Sequence, residues 1–258
     1  MTDIKWQAAG ACMQGGRPYQ EDAFAIEGSE SKGGASPVML ILADGMGGHA
    51  GGATASALAI DHFHPAFTSG ADDPRARLAR ALVETNQAIG ARATSEVELA
   101  GMGCTLVAVW LDGEKLTWIS VGDSPLWLFD GRALLRLNED HSMAPVLAQR
   151  VSRGELTEIA AARHPSRNAL RSAVTGDEIH LVDLDEKTLK APGEAIVLVA
   201  SDGILTLDDE EIAAELARSW GAAPEQIAAR LIEAVAGKAQ ADQDNTTIVV
   251  AKAVAAGR

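Results

Sequence analysis

Three aspartates in this 258-residue chain stand at the edges of its most apolar runs. Asp44 follows Val38-Met-Leu-Ile-Leu-Ala43, Asp202 follows Ala195-Ile-Val-Leu-Val-Ala-Ser201, and Asp244 comes just before Thr246-Thr-Ile-Val-Val250. An apolar run of that length reads as a strand buried on both faces. A carboxylate at its edge carries a heavy desolvation cost unless something cationic neutralises it. Three such edges point to one place where acidic side chains converge on metal.

The rest of the chain supplies a setting for these strands. Trp6 to Met13 and Asp22 to Glu27 read as strands joined by a turn at Gly15-Gly16, followed by a Gly/Ser loop from Gly28 to Ser36. The glycine-dense stretch Gly47 to Gly52 opens an Ala-rich helix, and Asp73-Pro74 starts another that runs to about Arg92. Short strands follow at Cys104 to Leu111, Lys115 to Val121, Pro125 to Phe129 and Ala133 to Leu137. Ser142 to about Thr175 reads as broken, polar helix with basic residues at Arg150, Arg153, Arg163, Arg167 and Arg171. Strands near Ile179 to Leu184 and Ala195 to Ala200, helices at Asp208 to Arg218 and Pro224 to Ala236, and a final strand to about Val254 complete the pattern. Helices inserted in pairs among many strands argue for antiparallel sheets covered by helices, in one domain spanning 1–258.

Asp-Gly is also a common turn dipeptide. Asp112-Gly113 and Asp130-Gly131 each lie between two strand patterns and read as hairpin turns. Asp44 and Asp202 do not precede a returning strand. Asp44 is followed instead by Gly45-Met-Gly-Gly-His-Ala-Gly-Gly52, whose glycines let main-chain atoms approach a ligand or metal closely.

Composition narrows the partners. A formal net charge of −14 argues against nucleic acid and against an anionic membrane surface. No apolar run approaches the ~20 residues of a membrane helix. Cys12 and Cys104 form neither a disulfide framework nor a metal spacing, which fits a reducing cytosol. The expectation is a soluble, cytoplasmic monomer, with Cys12 packed inside its strand.

Carboxylates without His or Cys at useful spacing select hard cations, Mg²⁺ or Mn²⁺ rather than Zn²⁺. Two such ions ~3.5–4 Å apart can hold a bridging hydroxide and clamp a phosphoryl group for in-line attack. Arg17, close before Glu21-Asp22, offers a fork for phosphate oxygens. Other phosphate chemistries lack their residues. There is no Gly-x-x-x-x-Gly-Lys-Ser/Thr loop, no kinase motif set and no Gly-x-Ser-x-Gly elbow. Cys12 to Arg17 is one residue short of the Cys-x5-Arg loop that thiolate phosphatases use.

Arg17-Pro-Tyr-Gln-Glu-Asp22, Leu42-Ala-Asp-Gly-Met-Gly-Gly-His49, Gly103-Cys-Thr105, Val121-Gly-Asp-Ser124, Asp140-His-Ser142, Ala200-Ser-Asp-Gly203 and Asp244-Asn-Thr246 occur in this order. Together they resemble the ordered motifs of the metal-dependent serine/threonine protein phosphatases of type 2C, the PPM family, in its bacterial branch. The resemblance implies an α+β fold, a four-layer α-β-β-α sandwich of two antiparallel sheets flanked by helix pairs. It implies two tightly bound Mn²⁺ or Mg²⁺ ions and a third, weaker one. By the same resemblance Asp44 bridges the two metals, the Gly45 carbonyl binds one, Asp202 and Asp244 complete the first, and Glu21 and Asp22 serve the second. Asp123 with Asp202 holds the third, and Arg17 orients the substrate phosphate. The segment from about 142 to 175 resembles the family's flap, where Arg163 and Arg167 would suit a phosphorylated segment.

The implied activity is hydrolysis of phosphoserine and phosphothreonine in proteins, opposing a bacterial Ser/Thr kinase. A non-catalytic relative with the same fold and a phosphatase of small phospho-metabolites remain alternatives. Two departures stand out. Met46 occupies the place where animal members carry a His, and a thioether cannot donate a proton, which leaves a water or an unassisted leaving group. His49 is a nearby imidazole, but a histidine at a glycine-rich helix start is expected to pack or cap. Pro125 stands where many members have Arg.

Overall fold

The computed structural model describes residues 4–28, 37–47, 51–70, 73–184 and 189–255. The strands form two antiparallel sheets. The first has five strands in the order β1 (Ile4–Met13), β12 (Thr246–Ala255), β11 (Ile196–Ala200), β7 (Leu126–Phe129) and β8 (Leu134–Arg136). The second has the order β10 (Leu189–Lys190), β6 (Lys115–Val121), β5 (Leu106–Asp112), β3 (Val38–Met46) and β2 (Asp22–Glu27). Short β4 (Gly103–Cys104) extends the pairing of β3, and β9 (Asp183–Leu184) lies beside β6.

Period-two alternation explains why the apolar runs are saturated. In β3, Val38, Leu40 and Leu42 enter the core between the sheets, while Met39, Ile41 and Ala43 pack under helices. Those helices are α1 (Gly51–Thr68) and α2 (Pro74–Ser95), which contribute Phe63, Phe67, Leu78 and Ile89. On the other sheet, Val249 and Ala251 of β12 face the inter-sheet core. Ile248 and Val250 face α5 (Asp209–Arg218) and α6 (Pro224–Gly237). The result is the expected α-β-β-α sandwich, an α+β fold, in which both faces of the central strands are dry.

Local chemistry sets the boundaries. Asp73 caps α2 by accepting from the Arg75 and Ala76 N–H groups, with Pro74 in the first turn. Asp208 and Glu211 form a capping box on α5. Gly113 and Gly131 sit at φ +56° and +90° in the two Asp-Gly hairpins, as their dipeptides require.

Several expectations are corrected. β1 and β2 do not form a hairpin: they lie in different sheets, and the loop between them crosses from one sheet to the other. Cys12 is exposed, because it shares the face of Ile4 and Trp6 but lies past the end of the inter-sheet core. The broken helix of the flap is confined to α3 (Ala144–Ser152) and α4 (Glu158–Ala162). Beyond it the chain is extended enough for Val174 to bridge Cys104, and the strand expected near Ile179 to Leu184 is reduced to β9. His49 and most of the Gly/Ser loop lie outside the described residues.

Candidate metal centre

The strand edges gather at one end of the sandwich. β3 runs on past Asp44 to Met46, because Thr105 and β4 continue its ladder. The Asp44 N–H donates to the Thr105 hydroxyl at 3.1 Å, and its carbonyl accepts the Thr105 N–H at 2.8 Å. Thr105 is itself fixed to the Ser124 hydroxyl at 2.7 Å. Across the β2–β3 register Asp22 faces Asp44. Gly45 must be glycine, since a Cβ there would run into the Gly52 and Glu21 carbonyls.

The first sheet supplies its carboxylates from beyond its strand ends. Asp202 opens a 3-10 turn (Asp202–Thr206) directly after β11 and Ser201, and Asp244 lies just before β12. Asp123 follows β6 and is buried. The crossing loop between β1 and β2 is pinned by Asn245. Its Nδ2 donates to the Gln14 and Tyr19 carbonyls at 2.8 and 2.9 Å, and its Oδ1 accepts the Glu21 N–H at 2.9 Å. That clamp brings Glu21, Asp22 and Arg17 to the site. Arg17 donates to Asp244 Oδ2 at 2.5 Å.

A cleft of about 790 Å³ is lined by Arg17, Glu21, Asp44, Gly45, Asp123, Asp202 and Asp244, and by Met46 at the departure from the animal pattern. Asp22 does not line it and stands behind, accepting from the Ser201 hydroxyl at 2.7 Å. Arg167 lines an adjoining cavity of about 270 Å³ together with Asp123, Asp202 and Asp244. Arg163 lines neither. Near Pro125, Arg136 donates to the Asp123 carbonyl at 3.1 Å.

Electrostatics show what is missing from the balance of charge. Burial, followed by the negative charges of Asp22, Asp202, Asp123 and Asp244, holds the Asp44 carboxyl well above its usual range. Burial, then Asp123 and Asp244, pushes Asp202 up to about 7, and burial, then Asp140, pushes Asp123 up to about 6. Burial likewise raises Asp22. Glu21 Oε1 and Asp22 Oδ1 are buried with no hydrogen-bond partner. Such oxygens, in an all-oxygen donor set, fit hard divalent cations. Among the described residues no three of these side chains already converge as a ready-made ligand group. Like charges repel, and an ion would have to draw them together.

Sequence reasoning missed the residues that hold the acidic set in place. Asn245 and Ser201 each adjoin a ligand candidate, and that adjacency was the available signal. Thr105 lay within a quoted motif without a role. Arg171 and His180 also line the cleft, from a loop whose closure no local pattern announces.

The α-β-β-α sandwich thus directs carboxylates from both sheets into one cleft, with an arginine at its rim. Comparison with known proteins gives the family. The pattern of the family described as Protein phosphatase 2C matches residues 11–236. The chain is 35% identical over 223 residues to the serine/threonine protein phosphatase PstP of Mycobacterium tuberculosis, covering 84% of this chain but 40% of that protein. It is 31% identical over 186 residues to the serine/threonine phosphatase stp of Listeria monocytogenes, covering 70% of this chain and 72% of the relative. Among solved structures, the catalytic domain of PstP in complex with two manganese ions aligns with a TM-score of 0.77 at 30% identity, over 97% of this chain and 99% of that one. The chain belongs to the protein phosphatase 2C family. Among the described residues no helix is long and apolar enough to cross a membrane.

Proposed function

We propose that this chain is a single catalytic domain that hydrolyses phosphoserine and phosphothreonine monoesters in proteins, with Mn²⁺ or Mg²⁺ as cofactor. The observation that carries this reading is the cleft itself. It holds Arg17, Glu21, Asp44, Asp123, Asp202 and Asp244 on one surface, with an unpartnered buried oxygen on Glu21 and another on Asp22 just behind. Asp44, Asp202, Asp244 and the Gly45 carbonyl would hold one cation, Asp44 with Glu21 and Asp22 a second, and Asp123 with Asp202 a weaker third. Bound there, such cations supply the charge that stabilises a transferred phosphoryl group and the acidity that makes water a nucleophile.

The chain's own residues do the rest. Arg17, half-exposed at the rim and now on Asp244, would turn its guanidinium to the incoming phosphate oxygens. Asn245 ties the first-sheet side of the acidic set to Glu21, and Thr105 holds Asp44 beside Ser124. Met46 lines the cleft and supplies no proton to the serine or threonine leaving group. Phosphorylated proteins would be the substrates, a Ser/Thr kinase the opposing partner, and the cytoplasm the compartment.

Purified protein should release phosphate from a phosphothreonine peptide when Mn²⁺ is added, and stop with a chelator. Turnover that survives both chelation and Asp202→Ala would overturn the reading. Faster turnover of sugar phosphates than of peptides would redirect it to small metabolites.

A further inference from the structure

One wall of the cleft is a loop, residues 172–181, tied down in three places. At its base the Ser172 hydroxyl donates to the Leu181 carbonyl at 2.8 Å and accepts the Leu181 N–H at 3.0 Å. Along one side Val174 exchanges both backbone hydrogen bonds with Cys104, at 2.9 and 3.0 Å, and β4 in turn pairs with Gly45 and Met46. At its tip the loop hangs on α2. Asn86 Oδ1 accepts the Thr175 and Gly176 N–H groups at 3.2 and 2.8 Å, and Nδ2 donates to the Asp177 carbonyl at 2.8 Å.

Gly90, four residues further along the same helix, completes the attachment. A Cβ on Gly90 would stand 2.7 Å from the Gly176 Cα, a separation that only a shift of the helix against the loop could relieve. Gly176 itself sits at φ +94°, where a side chain is strained. Asn and Gly are both poor residues for a helix interior. Their i, i+4 spacing puts them on one helix face, and both touch the same turn. The helix therefore gives up propensity at two positions to hold a loop, although none of its own residues lines the cleft. The loop does line it, through Thr175, Asp177, Glu178 and His180, with Arg171 just before it.

We propose that Asn86 and Gly90 are positioning residues for substrate recognition. Through the 175–177 turn they set the place of the wall that contacts the protein segment flanking the phosphorylated residue. The proposal rests on the phosphatase reading above. The carboxylates stand on other elements, so loosening the wall should weaken substrate binding and leave the chemistry in place.

The test compares Asn86→Ala and Gly90→Ala with the wild type on a phosphothreonine peptide and on p-nitrophenyl phosphate, which has no flanking segment. Amide exchange at residues 175–176 is measured in parallel. For Asn86→Ala the peptide KM should rise roughly tenfold with kcat nearly unchanged, the pattern of lost binding common to ground and transition states. Both constants for p-nitrophenyl phosphate should stay within about twofold of wild type, and exchange at 175–176 should quicken. Gly90→Ala should raise the peptide KM too, although alanine is the better helix former. Equal losses on both substrates, or a Gly90→Ala protein that binds peptide as well as wild type, would overturn the proposal. If the wild type turns over neither substrate with Mn²⁺, the phosphatase reading fails and the substrate role fails with it. Exchange at 175–176 then still reports whether Asn86 holds the wall.

Discussion

The two sheets deliver acid to the cleft in different ways. The second sheet offers Asp44 from within a strand, with its N–H and carbonyl both tied to Thr105. The first sheet offers Asp202 and Asp244 from beyond its strand ends, where Arg17 and a 3-10 turn hold them. The main chain of Asp44 is fixed by the ladder, in the midst of the negative charge around it. Asp202 and Asp244 lie outside the ladders, and Asp244 has a cationic partner in Arg17.

The contrast breaks most decisively at Asp44. Asp44→Ala should lower kcat/KM by at least about 10³-fold, above the 10–100-fold typical of residues that only orient ligands. The metal-free variant should be no less stable than wild type, since a buried, repelled carboxylate has gone. Thermal unfolding with and without Mn²⁺ checks the second half. At ~100 times Kd a bound ion adds ~2.7 kcal/mol to the wild type, and the variant should gain less.

Next come the residues whose hydroxyls hold individual aspartates in place. Thr105→Val removes the hydroxyl held to the Asp44 N–H, and Ser201→Ala removes the one held to Asp22. Each should cost ~10–100-fold in activity and in Mn²⁺ affinity, read by metal titration of turnover. A smaller loss is expected for Arg17→Ala, about tenfold in kcat/KM and carried mainly by KM, as for a lost hydrogen bond to a charged group. Steady-state kinetics on peptide and p-nitrophenyl phosphate should show the same loss, in contrast to Asn86→Ala.

The smallest effect concerns His141, which is buried and accepts the Gly122 N–H at Nδ1. Burial lowers its pKa from the usual 6.5, so the folded state binds its proton less readily than the unfolded chain. Its contribution to stability is present above that value and is lost as pH falls through it. The gap in Tm between wild type and His141→Gln should therefore narrow from about pH 7 to about pH 5.

Much of this was legible in the chain. Saturated apolar runs marked β3, β11 and β12 as doubly buried strands, and the aspartates at their edges line one cleft. Asp112 and Asp130 were separable as turns because strands flank them on both sides. Less legible were Cys12, whose exposure depends on where the inter-sheet core ends, and the β1–β2 connection, which looks local but crosses between sheets. The 172–181 wall was unreadable, because its anchors Asn86 and Cys104 are far away in sequence.

The sequence by itself determined the long strands and most of the helices, and marked Asp44, Asp202 and Asp244 at strand edges, because periodicity and desolvation act on neighbours along the chain. The tertiary structure alone decided that those carboxylates share one cleft, that Asn245 binds the crossing loop to them, and that α2 holds a wall it does not form. These contacts join residues far apart in the chain, and only the packing of two sheets and their helices brings them within hydrogen-bond reach.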